Sequence, residues 1–124
     1  MDRLASHVCK AGKSDSGGLS IVFTSALRAN GIPARVSSGR ARDAEPGRNA
    51  ADEPYVKAAF LATAVGWVPV DLGSAMILDK SSEGLEFFGT DNADFLIMHF
   101  DTDLEFDTVF FGRKTVESVQ GPVF

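Results

Sequence analysis

Between Ser16 and Arg40 the chain reads SGGLSIVFTSALRANGIPARVSSGR, and its apolar positions change period partway along. Leu19, Val22, Phe23, Ala26 and Leu27 recur at the three- and four-residue spacing of one helical face, which predicts a helix with a single buried stripe. Ser16 is the expected N-cap, and Asn30-Gly31 followed by Pro33 the expected stop. From Ile32 the period shortens to two, with Ile32, Ala34 and Val36 alternating with Pro33, Arg35 and Ser37. That pattern predicts a strand leaving the helix. Ahead of this unit, residues 1–15 read as a short helix or strand and a polar loop.

Residues 40–54 carry no apolar period and read as a long polar loop. Tyr55 to Leu61 and Val65 to Asp71 are both strand-like, and Ala62-Thr63-Ala64 lies between them. A hairpin centred on Thr63 sets Tyr55 opposite Asp71 with both side chains on one face. A one-residue slip would separate them. Gly73 to Ile77 suggests one helical turn capped by Ser74. Leu85 to Phe88, Asp94 to Phe100, Leu104 to Phe111 and Thr115 to Val119 are further strand candidates. In Asp94 to Phe100, Phe95, Ile97 and His99 share one face and Leu96, Met98 and Phe100 the other. Apolar residues on both faces predict a central strand buried on two sides. The expected architecture is α+β: one central helix packed on an antiparallel sheet, in a single domain spanning residues 1–124.

Composition changes this picture little. A 124-residue chain that is 44% hydrophobic and 23% charged suits a soluble domain with a real core. A net charge of −5 argues against a nucleic-acid partner, because phosphate binding needs a basic patch. No apolar run is long enough to cross a bilayer, and the polar N-terminus does not resemble a signal peptide, so the expectation is a cytoplasmic protein without a membrane partner. Cys9 is the only cysteine, which rules out an internal disulfide; it reads as an incidental thiol. Asp101, Asp103, Glu105 and Asp107 alternate, yet the run lacks the glycine and terminal glutamate of a calcium loop and reads as a solvated face. No metal or cofactor is expected.

The run LRANGIPARVSSGR preceded by GGLS, together with YVKAAF (55–60) and GWVPVDL (66–72), resembles the core blocks of transglutaminase-like domains, the acyl-transfer branch of the papain-like fold. The tail from Phe87 to Pro122 also resembles the ending of some bacterial members. The family sets a cysteine at a helix N-terminus, a histidine on a later strand and an aspartate on the next. Matched position by position, the resemblance places Ser16 at the cysteine, Tyr55 at the histidine and Asp71 at the aspartate. Family members usually carry structure upstream of this point, so the chain is either trimmed or a piece of a longer protein.

The substitutions matter chemically. A thiol with a pKa of about 8.5 is primed by a helix N-terminus and an imidazolium, whereas a serine hydroxyl depends wholly on an adjacent base. A phenol with a pKa of about 10 is neutral at pH 7 and cannot shuttle a proton as imidazole does. The triad of Ser16, Tyr55 and Asp71 is therefore expected to be vestigial, in a domain that binds a peptide or protein in its cleft or acts structurally, as a monomer or an oligomer. The alternative is a serine-dependent amidase or peptidase in which His99, or less simply His7, serves Ser16 as base. Arg35 and Arg40, with Trp67, are candidate binding residues beside the cleft, and Arg42 lies in the same loop region.

Overall fold

The computed structural model describes residues 4–41, 55–90 and 94–116. Of the polar loop expected at 40–54, Arg40 and Ala41 instead continue a strand, while 42–54, with Arg42, and the part of the last expected strand beyond Val116 lie outside the described residues. Three helices, α1 (Ala5–Ala11), α2 (Ser16–Ala29) and α3 (Leu72–Leu78), accompany six strands. The strands are β1 (Ala34–Ala41), β2 (Tyr55–Ala62), β3 (Gly66–Val70), β4 (Phe95–Phe100), β5 (Leu104–Thr108) and β6 (Gly112–Val116). The first four form one antiparallel sheet in the order β3-β2-β1-β4, while β5 and β6 form a separate hairpin. The fold is α+β with α2 packed on the sheet, and this frame follows the sequence reading.

Asp15, not Ser16, caps α2: its carboxylate accepts from Gly18 N at 2.9 Å. A carboxylate at the positive end of the helix satisfies an orphan N–H and the dipole together, which a hydroxyl does less well. Ser16 is consequently the first residue of the helix proper. The deepest face of α2 is also not the expected one. Gly17, Ser20 and Thr24 are buried against the sheet, Ala26 is exposed, and Leu19, Val22, Phe23 and Leu27 are only half-buried. Small side chains let the helix approach closely: Ser20 Oγ donates to the Val56 carbonyl at 3.3 Å, and Thr24 turns its hydroxyl back onto the Ser20 carbonyl at 2.9 Å. Beneath α2 the core is a row of Ala34, Val36, Val56, Ala58 and Val70. Leu19, Val22 and Phe23 line, with Val8, Leu72 and Met76, a cavity of about 330 Å³, and Phe23 also meets Phe60 of the sheet and Phe88 edge-on at 6.4 and 5.8 Å.

The β2–β3 hairpin is centred on Ala64 rather than Thr63, pairing Ala62 with Gly66, Leu61 with Trp67 and Ala58 with Val70. Its loop is Thr63 to Val65, with Ala64 at φ 65° and Gly66 at φ 97° absorbing the left-handed backbone. Register is thus displaced by two residues, which conserves faces. Lys57, not Tyr55, lies in line with Asp71.

Four further expectations change. The turn after Asp71 is a seven-residue helix, capped by Asp71 Oδ1 accepting from Ser74 N at 3.0 Å rather than by Ser74. Leu85 to Phe88 forms no strand; Phe88 alone bridges Val70. The stretch to Phe111 is strand only as far as Thr108, and Val109 to Phe111 turn at the tip of the β5–β6 hairpin. Most consequentially, β4 is an edge strand, with Leu96, Ile97, Met98 and Phe100 all exposed. Its register with β1 shifts between Ser38 and Gly39, where a Cβ on Gly39 would run into the Leu96 carbonyl.

Candidate functional site

The N-terminus of α2, the start of β2 and the first turn of α3 meet at one end of the sheet. Ser16 Oγ accepts from the Val56 backbone N–H at 3.3 Å. Tyr55 donates its phenolic proton to Asp71 Oδ1 at 2.5 Å, and its oxygen lies 3.5 Å from Ser74 Oγ. Gly73 joins the two sides: a Cβ there would stand 2.6 Å from the phenol oxygen and 3.5 Å from Ser16 Cβ. The structure thus gathers Ser16, Tyr55 and Asp71 around the same glycine, although the register that relates the two strands differs from the expected one. The length of the phenol covers the two-residue displacement.

Asp71 is held from three directions. Besides the phenol and the Ser74 amide, Lys57 Nζ lies 3.6 Å from its Oδ2, and the same ammonium is 3.1 Å from Asp94 Oδ1. The Lys57 and Asp71 side chains are only 14% and 13% exposed, so this is a sheltered charge pair rather than a solvated one. Phe95 seals the cluster, with its ring edge-on to Tyr55 at 6.2 Å and 5.1 Å from the Lys57 ammonium. Burial, reinforced by donation to the Asp71 carboxylate, pushes the Tyr55 phenol up from 10 to about 12. The phenol is a fixed hydrogen-bond donor at neutral pH and does not serve as a proton acceptor.

Lys57, Gly73 and Phe95 were not among the residues the sequence singled out. Only the Lys57 position was recoverable: a hairpin centred one residue later sets it against Asp71.

The remaining candidates lie elsewhere. Arg35 is stacked between Trp67 and Phe100, its guanidinium carbon 4.1 Å from each ring centre, on the sheet face turned away from α2. Its Nε is buried and meets no acceptor. Arg40 sits at the far end of β1, in register with Leu96 and apart from Arg35. His99 lies on β4 beside Ser38, with Nδ1 3.1 Å from the Asp101 carbonyl, and no hydrogen bond joins it to Ser16. His7 and Cys9 are on α1, Cys9 exposed. Asp101 pairs with Arg28 at 3.2 Å and Glu105 with Arg113 at 4.0 Å, and among the described residues no three ligand-type side chains converge as a metal site.

With this geometry in view, comparison with known proteins is informative on family alone. The model of the transglutaminase-like superfamily matches residues 1–72, which take in α1, α2 and β1 to β3. The chain belongs to that superfamily. No curated protein and no solved structure matches it. Among the described residues no helix is long and apolar enough to cross a membrane.

Proposed function

We propose that this transglutaminase-like domain is a non-catalytic relative, in which the triad positions Ser16, Tyr55 and Asp71 hold the cleft together instead of transferring an acyl group. The observation that carries the reading is the Tyr55–Asp71 hydrogen bond. In a working triad the acid orients a base that then accepts a proton from the nucleophile. Here the acid accepts a hydrogen bond from a phenol that stays neutral to about pH 12 and cannot take a proton from a nucleophile, so the chain of transfer runs out at residue 55. The Ser16 hydroxyl accepts from the Val56 amide, an arrangement that anchors the helix to the strand and does nothing to deprotonate the oxygen. The cleft then serves to bind a peptide or protein segment, or as a structural joint.

The test is direct. Purified protein is incubated with glutaminyl and peptide substrates and, separately, with a fluorophosphonate probe. The expected result is no turnover above background and no labelling of Ser16. Turnover or labelling abolished by Ser16→Ala overturns the reading in favour of a serine-dependent amidase.

A further inference from the structure

Strand β4, Phe95–Phe100, has the sequence of an interior strand and the position of an edge strand. Its six residues FLIMHF contain no lysine, acid or proline, the features with which edge strands ordinarily discourage pairing. Leu96 is 65% exposed, and Ile97, Met98 and Phe100 are exposed beside it. Among the described residues no strand pairs with the outer side of β4. The opposite edge of the same sheet is treated differently. There β3 carries Pro69, and the segment after α3 covers it: Gly89 N donates to the Pro69 carbonyl at 2.7 Å, and Asp71 N donates to the Phe87 carbonyl at 3.1 Å. Among the described residues one edge is closed and the other is apolar and carries no paired strand.

A bare strand edge is most fully completed by another strand, which offers its outward N–H and C=O groups partners in extended backbone. The pattern of β4 says which strand. Read backwards, FLIMHF becomes FHMILF, with aromatic residues at both ends and aliphatic residues in the middle. The shift in register with β1 also brings Phe95 and Phe100 to the same side of the sheet. Phe95 lies there against Tyr55 and Lys57, and Phe100 against Arg35. Antiparallel pairing of two copies about a two-fold axis would set Phe95 of each opposite Phe100 of the other, and Ile97 opposite Met98. Such aromatic and aliphatic cross-strand pairs are stabilising. The flanking acids do not oppose it as free charges, since Asp94 is paired with Lys57 and Asp101 with Arg28.

We propose that a second copy of this chain pairs along β4, joining two four-stranded sheets into one eight-stranded antiparallel sheet. The contact is isologous and therefore closes at a dimer. It is independent of whether the cleft at Ser16 is catalytic.

Sedimentation velocity on the full chain, from low micromolar to several hundred micromolar, is expected to show a reversible monomer–dimer equilibrium. Leu96→Lys and Met98→Lys, both at exposed positions, are each expected to weaken it by at least about tenfold, by placing an uncompensated cation in the joined strands. Far-UV circular dichroism and Trp67 emission report whether each variant stays folded. Should both variants fail to fold, hydrogen exchange of the native protein decides: β4 amides are expected to gain protection as concentration rises. A monomer at every concentration, a dimer indifferent to both folded lysine variants, or protection at high dilution of those β4 amides that point away from β1 would each overturn the proposal, the last by showing that the chain covers its own edge.

Discussion

Tyr55, which donates to Asp71, is the only tyrosine in the chain. Its ionisation can therefore be followed without interference from a second phenol. Near-ultraviolet absorbance of the folded protein is expected to titrate near pH 12, against about 10 for the unfolded chain. Because folding raises this pKa, the stabilisation from the neutral phenol is intact below pH 10 and is lost as pH climbs from 10 towards 12. A native midpoint near 10 would mean that the phenol is solvated and not bound to Asp71. Tyr55→Phe removes the donor while leaving the carboxylate its Ser74 and Lys57 partners, and is expected to cost about 1–2 kcal/mol in urea unfolding at pH 7. Caps give a second residue-level check. Asp15→Ala is expected to cost about 1 kcal/mol, since Asp15 is the side chain that satisfies the helix N–H.

At the scale of elements, the turn between β2 and β3 makes a sharp prediction. Ala64 occupies the left-handed region, which costs an alanine about 1–2 kcal/mol, while glycine gives back part of that through its freer unfolded chain. Ala64→Gly is therefore expected to stabilise the protein by about 0.5 kcal/mol, read as a raised melting temperature. Destabilisation would indicate that the loop is centred elsewhere. The converse holds at Gly39, where a Cβ would meet the Leu96 carbonyl: Gly39→Ala is expected to loosen β4 from β1, seen as faster amide exchange in β4 alone.

These elements also show what the sequence can and cannot convey. Helix α2, strand β1 and the paired strands β2 and β3 were legible because their apolar periods are unbroken and their ends are marked by Asn30-Gly31, Pro33 and the small residues near Thr63. The hairpin centre was not, since Ala-Thr-Ala-Val-Gly admits loops centred on either of two neighbouring residues. Proximity of Tyr55 and Asp71 survived the displacement only because a two-residue shift keeps faces aligned. Helix caps were misassigned where an acid and a serine stood close together, at Asp15-Ser16 and Asp71 to Ser74. In both cases the carboxylate holds the N–H. Two-sided apolarity in β4 points to an interior strand, but it does not fix the strand's place in the sheet, which is the edge, with Leu96, Ile97, Met98 and Phe100 exposed.

For the molecule as a whole, the proposed function is that the superfamily scaffold is kept while the chemistry at its cleft is not. Helix α2 directs its N-terminus at the start of β2 and α3 springs from Asp71; on the proposed reading Ser16, Tyr55 and Asp71 stand at the positions of a triad, with a hydroxyl and a phenol at two of them. If that account is right, returning the missing groups should return reactivity to residue 16 without any other change. The decisive measurement is the rate of iodoacetamide alkylation at neutral pH in a Cys9→Ser background, which removes the exposed native thiol. Ser16→Cys alone is compared with Ser16→Cys combined with Tyr55→His. An imidazole beside Asp71 should lower the thiol pKa and raise the alkylation rate several-fold over the single variant. Equal rates in the two would contradict the account, because residue 55 would then exert no influence on residue 16.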